Sequence, residues 1–128
     1  MTDSDWKCVA IDDLPQIWDG WGKLVRAGLD ITAFGVQIID FPPDYTSRSH
    51  DEGDSGQEEL YLALQGSGEI VIGDDEARLT LDPEHVIKVG PGIERKVATG
   101  ANGVRLLCVG SVPGHGYTPP DWTEQPSD

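Results

Sequence analysis

The sequence predicts an all-β fold, a double-stranded β-helix or jelly roll with a short helical turn near its start. Three observations carry this expectation. Sixteen glycines and nine prolines break the chain into short apolar runs. No long stretch keeps a helical period beyond one or two turns, and the candidate strands follow one another at the spacing of an all-β sandwich or barrel. In a single chain of 128 residues, closure into two packed sheets removes the exposed edges that an open sheet would leave.

Taken in order, Asp12-Asp13-Leu14-Pro15-Gln16-Ile17-Trp18 reads as a capped turn of helix, with aspartate ahead of a proline at an early helical position. Trp6, Trp18 and Trp21 follow closely, and three amphipathic rings near one terminus are expected to pack over a barrel end or a subunit contact. Lys23 to Leu29 and Ala33 to Phe41 read as strands, the second ended by Pro42-Pro43. Leu60 to Leu64 and Glu69 to Ile72 read as a hairpin around Gly66-Ser67-Gly68, and Gly73-Asp74-Asp75-Glu76 as a tight turn into Ala77 to Leu81. His85 to Val89 is a further strand, Gly90-Pro91-Gly92 breaks it, and Gly103 to Gly110 is the last. The expected organisation is one domain: an N-terminal extension with the first strands over 1–34, a barrel core over 35–112, and an irregular tail over 113–128 lying along the surface.

Composition narrows the partners. Nine lysines and arginines stand against 23 aspartates and glutamates, a net charge of -14. Such a surface repels phosphate backbones and anionic headgroups, so neither nucleic acid nor a membrane is an expected partner. The start, Met1-Thr2-Asp3-Ser4-Asp5-Trp6, has neither a basic cluster nor an apolar run, and no segment approaches the length of a membrane span; the expected location is the cytoplasm. Cys8 and Cys108 lack a Cys-x-x-Cys spacing and are expected to be small buried hydrophobes.

The stretch from Ser49 to Gly68 runs from an acidic, glycine-broken loop carrying His50 into the apolar segment Leu60 to Leu64. That is how polar groups are delivered to the mouth of a β scaffold. Period-2 alternation puts Glu59, Tyr61, Ala63 and Gln65 on one face and Glu58, Leu60, Leu62 and Leu64 on the other.

Pro42-Pro43, His50, Glu59 with six residues to Gly66, the Gly73-Asp74 turn and the run Asp82 to Arg95 together resemble the two-motif layout of a single-domain cupin, from about Gly35 to Gly110. In that family the motifs are G-x5-H-x-H-x3-4-E-x6-G and G-x5-P-x-G-x2-H-x3-N on a small β-barrel, and two histidines, the glutamate and the second motif's histidine commonly hold one divalent metal. Here the metal-binding motifs are degenerate. His50 takes the first histidine's place, Glu52 stands where the second belongs, and Glu59 keeps its spacing to Gly66. The loop between Glu52 and Glu59 is longer than the family's, Gly92 is kept, and Arg95 occupies the last histidine's position.

A guanidinium offers only donors and cannot ligate a metal. Two outcomes follow from Arg95: an ion pair with Glu59 in the volume where relatives keep a metal, or a forked clamp on a substrate carboxylate. The ligand-binding set is then His50, Glu59, Tyr61 and Arg95, with His50 as general base and Tyr61 or Glu59 as its acid partner should the ligand be turned over. The alternative is a metal-dependent enzyme of the dioxygenase, isomerase or decarboxylase kind, with His50, Glu52 and Glu59 holding manganese, iron, zinc or nickel. The expected activity is binding of a small molecule, a carboxylate or sugar-like compound, and the resemblance implies a homodimer. His85 and His115 align with no ligand position and are expected to be turn residues.

Overall fold

The computed structural model describes residues 6–124; the expectations for Met1 to Asp5 and for 125–128 lie outside the described residues. Seven strands form one antiparallel sheet: β1 (Gln16–Ile17), β2 (Gly22–Lys23), β3 (Gly35–Phe41), β4 (Glu58–Ile72), β5 (Ala77–Leu81), β6 (Ile87–Val89) and β7 (Arg95–Ser111). Their order is β1-β2-β3-β7-β4-β5, with β6 paired to β4 on the same edge side as part of its length. The 15-residue β4 and 17-residue β7 run through both halves of the roll and pair along nearly their whole lengths, so the two halves share one interior.

That interior is apolar. Tyr61, Ala63, Ile70, Leu81, Ile87, Val89, Val97, Val104 and Leu106 form one buried cluster, with Phe41, Ile72, Leu79 and Cys108 packed against it. A second buried group lies on the outer side of β3, where Val36 and Ile38 are buried, as are Leu14, Leu24 and Ala27 of the N-terminal segment. The five-residue helix α1 (Val25–Leu29) packs against β3 there.

Three local readings change. Lys23 to Leu29 is strand only at Gly22–Lys23 and then turns into α1, which closes on Asp30 in the left-handed conformation (φ 58°). The helical turn near the start spans Ile11–Asp13 and ends before Pro15, leaving Gln16–Ile17 to pair with β2. Gly66-Ser67-Gly68 is not a hairpin turn; it is a bulged stretch inside β4, with register shifts between Ala63 and Gln65 and between Gly66 and Gly68. Gly66 has φ +79°, and a Cβ there would lie 2.0 Å from the Gly103 carbonyl oxygen. The glycine therefore marks a bulge and a close backbone approach, both of which permit a long strand to bend without ending.

Among the described residues no helix is long and apolar enough to cross a membrane.

Candidate ligand-binding site

The register of β3, β7 and β4 lays out the inner wall in rows. Gly35, Gly110 and Glu59 share one row, Gln37, Cys108 and Tyr61 the next, and Ile39, Leu106 and Ala63 the one below. Side chains two apart along each strand face the same way, so this wall looks into a cavity of about 820 Å³. The volume falls within the range of small-molecule sites. Leu60 and Leu64, on the other face of β4, are partly exposed as alternation requires.

Arg95, at the start of β7, is 1% exposed and is the largest fully buried side chain among the described residues. Its Nε donates to the Tyr61 hydroxyl at 3.1 Å, Nη1 to the Ile93 carbonyl at 2.6 Å and Nη2 to Glu59 Oε1 at 2.9 Å. The Tyr61 hydroxyl in turn donates to the same Glu59 oxygen at 2.5 Å. Burial works against the guanidinium's charge, but the bonds to Tyr61 and Glu59 outweigh it and its pKa is raised. Burial, reinforced by Cys108 and Glu59, drives the Tyr61 pKa far up. Tyr61 thus holds its proton tightly and donates it to the Glu59 carboxylate in a hydrogen bond.

His50 reaches the site by another route. It is bridged to Arg95 through reciprocal backbone hydrogen bonds of 3.0 and 2.9 Å, which bring the acidic loop onto the start of β7. Its Nε2 lies 3.2 Å from Glu52 Oε2, and this contact holds the Glu52 carboxyl below the usual range against the opposing effect of burial. Ligand atoms of His50, Glu52 and Glu59 all fall within 4.8 Å of one another, a spacing that one ion could bridge. The fourth side of that volume is Arg95. Its Nη2 sits 2.9 Å from Glu59 Oε1, so an ion there would share this carboxylate with a guanidinium.

Much of the remaining lining is aromatic. Trp21 meets Tyr45 and Phe41 edge-on at 5.2 and 6.3 Å, and Trp18 stacks on Trp122 at 5.3 Å; all five rings line the cavity. Trp18 and Trp21 therefore contribute to the site as well as to a barrel end, while Trp6 is 79% exposed. Trp122 was missed by sequence reasoning because its segment reads as tail. That tail is not confined to the surface: Thr123 is 1% exposed, and Glu124 pairs with Arg26 at 3.1 Å. Cys108 faces the cavity, 3.5 Å from Glu59 Oε2, and burial pushes its thiol up and away from the reactive thiolate. Cys8, expected to be buried, is exposed. Both cysteines are free. His85 lies in the turn before β6, hydrogen-bonded to Asp82 at 2.7 Å, and His115 is exposed in the turn after β7.

No protein-family model matches the sequence, and no curated protein matches it. Solved structures do. A cupin protein from Bacteroides fragilis is 21% identical over 91% of this chain and 93% of its own, with a TM-score of 0.69. A Cupin 2 conserved barrel domain protein from Salinispora arenicola is 21% identical over 62% of this chain and 64% of its own, with a TM-score of 0.53. A cupin superfamily protein from Desulfitobacterium hafniense is 22% identical over 62% and 68%, with a TM-score of 0.52. Likeness at this level of identity speaks to architecture, and with the strand order and the rows of the inner wall it establishes that this chain has the fold of a cupin β-barrel.

Proposed function

We propose that this protein binds a small organic acid in the barrel cavity and does so without a metal. The observation that carries the reading is the Arg95–Glu59 pair at 2.9 Å, completed by Tyr61, in the volume where the resemblance places a metal. With its three nitrogens already engaged by protein acceptors, Arg95 is better suited to neutralising Glu59 than to clamping a substrate. An acidic ligand is instead supported by Arg48 and Lys96. Both line the cavity, and among the described residues they are the basic side chains without an ion pair. The isolated bridges Thr46↔Ala98 and His50↔Arg95 hold the segment carrying Arg48 against the start of β7, which carries Lys96, and two basic residues on adjoining segments favour an anion. In this reading His50, which lines the cavity, exchanges a proton with the ligand.

Calorimetric titration with small aromatic and aliphatic carboxylates in excess chelator tests this. Binding that persists with chelator and weakens in the Arg48→Ala, Lys96→Ala double variant is expected. Binding or turnover that is lost with chelator and restored by manganese, iron(II), zinc or nickel favours the second reading, a metal-dependent enzyme using His50, Glu52 and Glu59, which the 4.8 Å clustering of their ligand atoms supports.

A further inference from the structure

Gln37 sits in the middle of the inner wall, in the row with Cys108 and Tyr61, and is 8% exposed. Its Oε1 is buried without a hydrogen-bond partner, and its Nε2 makes no hydrogen bond among the described residues either. Buried amides in folded proteins are nearly always satisfied, because an orphaned group forfeits its bonds to water and gains nothing in return. In the neighbouring row, the space beside two glycines is taken by side chains from elsewhere in the fold. Gly35 and Gly110 carry no side chains, and a Cβ on them would collide with the Tyr117 hydroxyl at 2.6 Å and with Gln57 Oε1 at 2.8 Å. Gln57, also 8% exposed, thus lies over Gly110 with its own amide free of side-chain hydrogen bonds. The charged groups of this wall are already matched, Glu59 to Arg95 and Glu52 to His50. The unmatched capacity is therefore a neutral carboxamide presenting one acceptor and one donor side by side.

We infer that the cavity recognises a planar heterocycle whose edge carries an adjacent N–H donor and carbonyl or ring-nitrogen acceptor, paired to the Gln37 amide in two parallel hydrogen bonds. A carboxamide matches such an edge in a fork, as glutamine does with the donor and acceptor of adenine. Planarity follows from the surroundings: Trp21, Phe41 and Tyr45 line the same cavity, and aromatic rings favour stacked or edge-on contact with another flat ring. The inference rests on the reading of the cavity as a small-molecule site and specifies the group that meets its wall.

Three probes separate the possibilities by calorimetry: 2-quinolone, which has the lactam edge; 2-methoxyquinoline, of similar shape but without the N–H; and 1-naphthoate, an acid with no such edge. The expected result is that 2-quinolone binds the wild-type protein at least about tenfold more tightly than 2-methoxyquinoline, and that Gln37→Leu removes this preference while leaving 1-naphthoate affinity unchanged. Gln37→Leu without ligand should melt at or above the wild-type temperature, since the orphaned polar group is gone; a purely structural glutamine would make the variant melt lower. Binding of 1-naphthoate with no preference between the two quinolines overturns the inference and leaves the cavity reading standing. Failure of all three probes to bind overturns both. Gln37→Met, which keeps the side-chain length without a polar group, serves as the second variant should the leucine variant not fold, and loss of the quinolone preference in it gives the same support.

Discussion

Along β4, two stretches of the same inner wall are held in place by different means. Around Glu59 and Tyr61 four hydrogen bonds converge on or from Arg95 and Glu59, and each group depends on the others for its satisfaction. Around Ile70, by contrast, Leu81, Val97, Val104 and Leu106 are buried by contact alone. The apolar stretch loses stability in proportion to the volume removed from it. The polar stretch responds to which partner is removed, because a buried charge left without its counter-charge costs far more than the pair itself contributes. One strand therefore carries a stretch held by packing and another held by mutual polar satisfaction.

The sharpest way to break this comparison is Arg95→Ala. It should cost about 3–5 kcal/mol in denaturant unfolding, and a second change, Glu59→Leu, should restore part of that loss. A cost confined to about 1 kcal/mol would mean that water already satisfies Glu59. In the apolar stretch, Ile70→Ala, at a residue with 0% exposure, is expected to cost about 3 kcal/mol while leaving the ligand affinity of the cavity unchanged. Tyr61→Phe removes one donor from Glu59 and one acceptor from Arg95, and about 1–2 kcal/mol should be lost, measured by the same unfolding curves. The smallest effect belongs to the turn before β6. The Asp82 carboxyl is held below its ordinary range chiefly by its hydrogen bond to His85. A carboxyl lowered in the folded state binds its proton more readily when unfolded. Its contribution is therefore present above the unfolded value near 3.8 and is lost as pH falls through the lower folded value. Melting temperatures recorded from pH 6 down to pH 2.5 should fall slightly less steeply for Asp82→Asn than for the wild type.

The polar stretch was the more legible of the two in the sequence. Strict alternation on β4 put Glu59 and Tyr61 on one face, and the spacing of the second motif brought Arg95 to the same place; both are local signals that survive folding. Gln37 was not legible. A glutamine in a strand that reads as Phe34, Val36, Ile38 looks like the outward member of the pair, yet Val36 and Ile38 are the residues covered by the N-terminal segment and Gln37 faces inward. Both faces of β3 are buried, and alternation cannot say which is which when both are covered. The continuity of β4 through Gly66-Ser67-Gly68 escaped for a related reason: the same glycines that mark a turn also mark a bulge, and only the approach of Gly103 distinguishes them. The stacking of Trp122 on Trp18 joins two segments more than a hundred residues apart, a contact that no local pattern encodes.

The central claim is that a guanidinium–carboxylate pair holds the place of a metal. It is tested most directly by elemental analysis of untagged wild-type protein and of Arg95→His, each incubated with manganese, iron(II), zinc or nickel and then dialysed. The account predicts well under one equivalent of metal in the wild type and a rise toward one equivalent in Arg95→His, where an imidazole joins His50, Glu52 and Glu59. One full equivalent in the wild type, lost in His50→Ala, would contradict it.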